Sequence, residues 1–281
     1  MRNFVVRLLR TSIVFLFLLS IIFFPLSAQA KKKSKKKSVS SCRAVIYSDA
    51  TRTQRLYGKN PNMKVQPAST TKVMTALLVL EKLSLNDYVT VSQRATYVVP
   101  SKIDVRPGEQ YKVKDLLFAL LLNSANDASI VLAEAVAGSE WKFVQMMNQR
   151  AKSLGAHHTK FANSNGLPTK KVSQFTTAFD MYLIFREALR HTFFQEAIKF
   201  KFKNIYSKSG REIALKSHNK MLFLDWKKKI YGKTGYTRAA GACFIGALQQ
   251  GKNTQIIGVF GCSGRWGVIK DVVSTYGGVS L

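Results

Sequence analysis

The sequence is poor in the side chains that bind metals. Among its 281 residues it has three cysteines and four histidines, and no Cys-x-x-Cys pair occurs. The histidines show no ligand spacing beyond one adjacent pair, His157 and His158. Zinc sites bring several such side chains together at short, regular spacings. We therefore expect no metal site and no other cofactor.

The cysteine count is odd, which leaves at least one thiol unpaired. Cys243 and Cys262 fall on two strands that are predicted to be neighbours, so they could form a disulfide. Cys42 lies far away, near the start of the chain. We expect buried free thiols rather than a disulfide.

Acidic residues are also scarce. The chain has 15 Asp and Glu against 44 Lys and Arg, a formal net charge of +29. The net charge is still +20 when the three arginines of residues 1–30 and the six lysines of residues 31–37 are left out. A charge of this size repels itself unless an anionic partner is near. The folded part of the protein is therefore basic in its own right.

The first thirty residues have the three parts of a secretory signal peptide. Three arginines are followed by an apolar run over residues 13–26 and then by the small-residue segment Ala28-Gln29-Ala30. The run is short for a membrane-spanning helix, which needs about 20 apolar residues, although an uncleaved anchor is the alternative. We expect residues 1–30 to direct export to the periplasm or to the outer face of the cytoplasmic membrane.

A lysine-rich segment follows at residues 31–40. Residues 31–38 contain six lysines and two serines and no apolar residue, which predicts a solvated tail. After a signal peptide, lipid headgroups or anionic wall polymers are better candidate partners than nucleic acid. Each lysine near an anionic membrane contributes about 1 kcal/mol. A soluble spacer without a partner explains the composition equally well.

Residues 41–281 are predicted to form one catalytic domain, without an internal repeat or linker. Strand patterns occur at both ends, over residues 41–48, 54–57, 229–237, 240–249 and 254–261. Helical patterns lie between them, over residues 70–83, 114–122, 129–137, 141–154, 178–190 and 192–200, and a hairpin is predicted over 201–215. The simplest arrangement is an α+β fold in which strands from both chain ends form one antiparallel sheet against a helical lobe.

Three short motifs occur in order along this domain: Ser69-Thr70-Thr71-Lys72, Ser124-Ala125-Asn126 and Lys233-Thr234-Gly235. Each is weak by itself, and Ser-x-x-Lys also begins at Ser34, Ser139 and Ser217. The copy at Ser69 differs because it opens an apolar helix just after a proline. There, positions i and i+3 share a face, and the helix N-terminus favours a developing alkoxide.

These residue types suit nucleophilic catalysis. A serine hydroxyl becomes a good nucleophile when a base removes its proton. Lys72 can act as that base for Ser69 if burial and the like charge of Lys233 lower its pKa. The alternative is structural, with Ser69 as a helix N-cap and Lys72 facing solvent. Spacing does not separate the two interpretations.

The other motif residues are predicted to bind the substrate. Lys233 and Thr234 offer a cation and a hydroxyl to a substrate carboxylate, and Gly235 allows close backbone approach. Ser124 could relay a proton, and Asn126 could hold a substrate amide. We expect the backbone N–H groups of Ser69 and Tyr236 to form the oxyanion hole.

The ordered motifs resemble those of the penicillin-binding protein and serine β-lactamase superfamily. Longer matches resemble the low-molecular-mass D-Ala-D-Ala carboxypeptidases, peptidase family S11, at residues 67–76, 124–128, 165–168, 233–237 and 240–241. The similarity covers about residues 41–278. It implies a β-lactamase/transpeptidase-like fold and an acyl-enzyme on Ser69. It also implies removal of the terminal D-Ala from peptidoglycan stem peptides, and covalent inhibition by β-lactams.

The sequence departs from this family in two places. Relatives often have Asn-x-Asn upstream of the third motif, where this chain has Ser217-His218-Asn219. His218 or Arg265 could then hold the substrate carboxylate. Many relatives also continue into a β-rich domain and an amphipathic membrane helix, and we expect neither here because the sequence ends at Leu281.

Three rival functions remain open. A class A β-lactamase needs a Glu-x-x-x-Asn segment for deacylation, and none occurs between Asp127 and Gly210. A D,D-endopeptidase that acts on peptidoglycan cross-links is a closer rival, because the same site can cleave either bond. A basic, non-catalytic wall-binding protein is the least favoured, since the full set of catalytic residue types is present.

Overall fold

The computed structural model describes residues 39–169 and 172–278. The predicted signal peptide and residues 31–38 of the lysine-rich segment lie outside the described residues. Within the described ranges, no helix combines the length and apolar character that crossing a bilayer requires.

Five antiparallel strands form the main sheet. The described strands are β1 (Ala44–Asp49), β2 (Gln54–Lys59), β3 (Tyr88–Thr90), β4 (Gln110–Lys112), β5 (Phe202–Tyr206), β6 (Glu212–Lys216), β7 (Tyr231–Thr237), β8 (Gly241–Gln250) and β9 (Asn253–Cys262). The order in the main sheet is β2-β1-β9-β8-β7, so strands from both chain ends meet at its centre. This confirms the predicted α+β class. The pairs β3–β4 and β5–β6 form separate two-stranded sheets.

A helical lobe covers one face of this sheet. The lobe contains α1 (Lys72–Lys82), α2 (Val113–Phe118), α3 (Asn126–Ala137), α4 (Glu140–Ser153), α5 (Ala178–Ala188) and α6 (Thr192–Ala197), whereas α7 (Arg265–Tyr276) packs on the opposite face of the sheet. A 3₁₀ turn, Ala68–Thr71, leads into α1, and a π-helical segment, Ala119–Asn123, extends α2. The first eight residues of α1 are all buried, which makes it the central helix of the lobe.

The two faces of the sheet have separate cores. The larger core joins the inner face of the sheet to the helical lobe and includes Met74, Leu117 and Phe185. The smaller core lies under α7 and includes Tyr47 and Phe244. Each fully buried side chain of this kind contributes about 1.5–3 kcal/mol relative to exposure. Because the central strands contribute side chains to both cores, they are apolar on both faces.

The cysteine prediction was wrong. Cys42 and Cys262 form a disulfide, and only Cys243 is free among the described cysteines. The strand register explains the pairing, because Ala44 of β1 lies opposite Phe260 of β9, and two residues further along each strand Cys42 lies opposite Cys262. Cys243 and Cys262 do not meet, since Cys243 belongs to the larger core and Cys262 to the smaller one.

Candidate active site

Ser69 lies on the 3₁₀ turn between the sheet and α1. In a 3₁₀ turn the side chains at i and i+3 eclipse each other, and the Lys72 amine is 3.1 Å from Ser69 Oγ. The preceding residue, Ala68, has φ 47°, a left-handed conformation that is rare for residues other than glycine. Strained backbone of this kind is concentrated at functional sites.

Lys72 is completely buried, with 0% of its surface exposed. Its Nζ, which also contacts Ser69 Oγ, donates to Asn126 Oδ1 at 2.7 Å and to the Asn165 carbonyl oxygen at 2.9 Å. The Asn126 amide is held in orientation, because its Nδ2 donates to the Val99 carbonyl at 2.8 Å. Both polar groups of Asn126 therefore have hydrogen-bond partners within the protein, and its predicted contact with a substrate amide stays a prediction.

The surroundings of Lys72 disfavour its charged form. Burial lowers the pKa of Lys72 well below its usual value, the positive charge of Lys233 lowers it further, and the Asp127 carboxylate opposes the shift. Asp127 is itself buried, and burial raises its pKa. A neutral amine at neutral pH is the form that a general base requires.

Lys233 extends from β7 into the same cleft. Its Nζ donates to Ser124 Oγ at 2.9 Å and to the Thr234 carbonyl at 3.0 Å. Ser124 has φ 59°, a left-handed conformation at the end of the π-helical segment that aims its hydroxyl at Lys233. Burial, followed by the charge of Arg265, lowers the pKa of Lys233 to about 7. The three sequence motifs thus meet in one cleft.

Gly235 faces the backbone of the Ser69 turn. A Cβ added to Gly235 would lie 3.0 Å from the Ser69 nitrogen and 3.1 Å from the Pro67 carbonyl oxygen. The glycine therefore lets β7 approach the turn, a role that the sequence analysis did not assign to it. Thr234 is buried, whereas 68% of Tyr236 is exposed beside the cleft.

Arg265, at the start of α7, joins two strands beside the cleft. Its Nη1 donates to the carbonyls of Gly235 at 2.7 Å and Cys243 at 2.9 Å. His218 lies nearby on the chain that leaves β6, and its backbone N–H donates to Leu122. His218 is exposed to solvent. Partial desolvation, followed by the neighbouring basic groups of Lys233, Lys72 and Arg265, lowers the pKa of His218 to about 4. This end of the cleft is strongly electropositive.

The sequence did not predict the hydrogen bonds that hold the segment carrying the Asn165 carbonyl against Lys72. Ser164 precedes the Asn165 carbonyl, and both its N–H and its Oγ donate to Glu140 Oε1, at 3.1 and 2.7 Å. Glu140 is paired with Arg94 at 2.7 Å. The segment Asn163-Ser164-Asn165-Gly166 showed only turn-forming residues in the sequence, which gave no signal for its carbonyl partner.

Asp127 is a second residue whose supporting role was not predicted from the sequence. Its carboxylate accepts hydrogen bonds from the backbone N–H groups of Ile103, Val105 and Ala128. It thereby holds the loop whose Ser101 carbonyl accepts from the Asn126 N–H at 2.8 Å. A lone aspartate at the start of a helix gave no indication of these partners.

We expect Gly166→Ala to destabilise the protein severely. Gly166 has φ +84°, and a Cβ there would lie 1.8 Å from the Ala68 carbonyl oxygen. Backbone strain and this clash together should cost more than about 3 kcal/mol, measured as the free energy of unfolding in urea. Gly108→Ala is the matched control, because Gly108 has φ +81° with no atom within 4 Å of an added Cβ. It should lose only about 1–2 kcal/mol, the cost of a left-handed conformation for an L-residue, and equal losses at both positions would contradict the prediction.

Comparison with known proteins agrees with this geometry. The sequence profile of the D-alanyl-D-alanine carboxypeptidase family, peptidase S11, matches residues 29–264. The chain is 34% identical over 268 residues to D-alanyl-D-alanine carboxypeptidase DacF of Bacillus subtilis, covering 92% of this chain and 66% of the relative. It is 33% identical over 231 residues to a D-alanyl-D-alanine carboxypeptidase of Mycobacterium tuberculosis, covering 82% and 77%.

Two further comparisons bear on activity and fold. A D-alanyl-D-alanine endopeptidase of Pseudomonas aeruginosa is 30% identical over 211 residues, covering 72% of this chain and 65% of the relative. The crystal structure of a D-alanyl-D-alanine carboxypeptidase from Mycobacterium tuberculosis superposes with a TM-score of 0.78 at 31% identity, covering 84% of this chain and 90% of that one. The chain spans about two thirds of the length of the Bacillus and Pseudomonas relatives. By profile, sequence identity and fold, the chain belongs to the D-alanyl-D-alanine carboxypeptidase family, peptidase S11.

Proposed function

We propose that this protein is a serine D-Ala-D-Ala carboxypeptidase that removes the terminal D-Ala from peptidoglycan stem peptides. The observation that carries the proposal is the buried Lys72 amine, 3.1 Å from Ser69 Oγ. Burying one lysine beside another costs free energy of folding, so a purely structural role does not explain the position of Lys72. The proposed catalytic residues are Ser69, Lys72 and Ser124.

The hydrogen bonds around Lys72 support proton transfer from Ser69 to Lys72. A neutral amine has two N–H groups and one lone pair, and two of its three neighbours, Asn126 Oδ1 and the Asn165 carbonyl, can only accept. Those two oxygens take both N–H groups. The lone pair then faces the Ser69 hydroxyl, the one neighbour that has a proton to give.

The reaction follows as acyl transfer in two steps. Ser69 Oγ bonds to the carbonyl carbon of the penultimate D-Ala while its proton passes to Lys72, and the backbone N–H groups of Ser69 and Tyr236 stabilise the oxyanion. The peptide C–N bond then breaks, and the departing D-Ala nitrogen takes up a proton, with Ser124 as the relay from the lysines. Water, deprotonated near Lys72, hydrolyses the ester and restores Ser69.

The electropositive end of the cleft suits the terminal carboxylate of the substrate. Lys233 and Arg265 supply positive charge there, and Thr234 supplies a hydroxyl at the same strand. At neutral pH the lowered pKa of His218 leaves it uncharged. We therefore assign carboxylate binding to Lys233, Thr234 and Arg265, with Gly235 and Tyr236 along the substrate backbone and Asn126 orienting Lys72.

The release of D-Ala tests this function. The protein should liberate D-Ala from a stem pentapeptide at a measurable kcat/KM, and penicillin should block the reaction with one equivalent of covalent adduct. The name of the Pseudomonas relative favours one alternative, D,D-endopeptidase activity. A cross-linked peptide dimer that is cleaved faster than the pentapeptide would replace the proposal with that alternative. A folded protein that cleaves neither would refute both.

The pH dependence of penicillin acylation should be bell-shaped. The rate should rise as Lys72 loses its proton and fall as Lys233 loses the charge that binds the carboxylate, from a free-enzyme pKa of about 7. Because the charge of Arg265 lowers the pKa of Lys233, Arg265→Ala should move the alkaline limb to higher pH. Stopped-flow acylation rates measure both limbs, and an alkaline limb that stays in place would contradict the assignment.

We also propose that residues 1–30 direct export and that the lysines of residues 31–37 attach the exported protein to an anionic surface. The family's cell-wall substrate and the composition of these residues support this proposal. Replacing the six lysines by serine should reduce sedimentation with anionic vesicles at low salt, where surface charges are least screened. Unchanged sedimentation would remove the lysine run from the proposal.

A further inference from the structure

A basic aromatic surface lies outside the catalytic cleft, on the outer face of the β5–β6 hairpin. We call the side chains of Lys201, Phe202, Tyr206, Lys216 and Phe223 the hairpin patch. Solvent contacts 59% of Phe202, 50% of Tyr206 and 40% of Phe223. Exposed aromatic rings that cluster on one surface are typical of a site that binds a partner or a membrane.

The patch is an interleaved array of rings and ammonium groups. Phe202 lies opposite Lys216 in the hairpin, and the Phe202 and Phe223 rings meet edge to face at 5.6 Å. Lys216 Nζ is 6.0 Å from the Phe202 ring centroid and 5.8 Å from that of Phe223. Lys201 Nζ also lies 5.8 Å from the centroid of the Phe223 ring. These distances are within the range of cation–π attraction.

The inner face of the hairpin that carries the patch packs against the larger core. On its inner face Ile205 and Leu215 belong to the larger core. Lys203 on that side lies over the rings of Phe118 and Phe200, at 5.4 and 5.7 Å. Alternation along the strands then directs Phe202 and Tyr206 outward. The exposure of the patch is thus imposed by the packing of the opposite face.

The patch borders the cleft. The Ser217 N–H, directly after β6, donates to the Lys201 carbonyl at 2.8 Å, and the next residue is His218 at the electropositive end of the cleft. The one carboxylate that the hairpin contributes to this face, Glu212, accepts a hydrogen bond from Tyr206 Oη at 3.1 Å. The face therefore presents positive charge beside exposed rings.

We propose that the hairpin patch docks on an anionic lipid bilayer and so brings the mouth of the cleft to the membrane surface. The ammonium groups complement lipid phosphates, each contributing about 1 kcal/mol. The two phenylalanine rings enter the boundary between headgroups and acyl chains, where aromatic side chains are favoured. A hydrophilic polyanion satisfies the lysines but offers the rings no apolar environment, which is why we assign the patch to lipid.

Vesicle binding by the exported protein tests the proposal. All variants carry serine in place of the six tail lysines, so that only the patch differs among them. Phe202→Ser/Phe223→Ser and Lys201→Glu/Lys216→Glu should each lower binding to phosphatidylglycerol vesicles by about tenfold or more. Trp141→Ser/Lys142→Glu is the matched control, because 70% of Trp141 is exposed on α4, and it should bind as the parent does. Retained acylation by penicillin shows that each variant is folded.

A local probe separates docking from any attachment through residues 1–30. A polarity-sensitive dye on Tyr206→Cys should shift to shorter emission wavelength with phosphatidylglycerol vesicles, but not with phosphatidylcholine vesicles or soluble polyglutamate. The same dye on Trp141→Cys should not shift. Serine variants that bind as tightly as the parent, or a Tyr206 probe that shifts equally with polyglutamate, would overturn the proposal in favour of simple charge attraction.

Discussion

Ser69→Ala should abolish the penicillin adduct and lower D-Ala release by about 10⁴-fold or more, as loss of the nucleophile does in other serine hydrolases. The geometry leaves no substitute, because the Lys72 lone pair faces the Ser69 hydroxyl and its two N–H groups are taken by Asn126 and Asn165. Intact-protein mass spectrometry after penicillin treatment measures the adduct, and a coupled D-Ala assay measures the rate.

The chain contains a matched control for this substitution. Ser139 begins another Ser-x-x-Lys sequence, but its Oγ accepts from the Lys142 N–H at 3.3 Å and caps α4. Ser139→Ala should therefore keep full acylation and lose about 1 kcal/mol of stability. A penicillin adduct that persists in Ser69→Ala would assign the nucleophile to another residue.

Lys72→Met should lower the acylation rate by about 10² to 10⁴-fold, the range typical of a lost general base. Methionine has a similar length and no lone pair that can accept the Ser69 proton at this position. The double variant Ser69→Ala/Lys72→Met should release D-Ala no more slowly than Ser69→Ala does, because the two side chains act as a unit. Lys82→Met, at the exposed end of the same helix, is the control and should react normally. Equal rates in Lys72→Met and the control would exclude Lys72 as the base.

The same substitution should change how stability depends on pH. Burial lowers the pKa of Lys72 in the folded protein, so above that pKa and up to about 10.4 the unfolded chain binds a proton that the folded chain lacks. The free energy of unfolding should therefore rise with pH across this window. In Lys72→Met the rise should be smaller, which urea unfolding at a series of pH values measures. An unchanged slope would contradict the buried neutral lysine.

Local patterns in the sequence predicted several features of the fold and of the candidate site. The spacing of Ser69 and Lys72 put both side chains on one helical face, which allowed their contact, and the ordered motifs favoured it over a structural role. Alternating patterns at both chain ends predicted the strands of the main sheet, and the hairpin was expected where β5 and β6 lie. These features depend on neighbours within a few residues, so the order of residue types is sufficient to predict them.

Contacts between distant segments were decided by the tertiary structure. The start of α3 was predicted at residue 129, but the helix begins at Asn126, and this places the Asn126 amide on Lys72. The Asn165 carbonyl acts through its backbone, which every residue type has, so its identity gave no signal. Gly235 was predicted from the sequence to allow close approach of the substrate, and the structure adds that it also lets β7 approach the Ser69 turn.

The sequence by itself determined the class of fold, the order of the elements and the residue types available for catalysis. The tertiary structure alone decided that Cys42 rather than Cys243 meets Cys262, and that Lys72 is buried beside Lys233. Both outcomes depend on strand register and on which sheet face a side chain occupies. Those are set by packing between segments more than a hundred residues apart in the chain, which local periodicity does not encode.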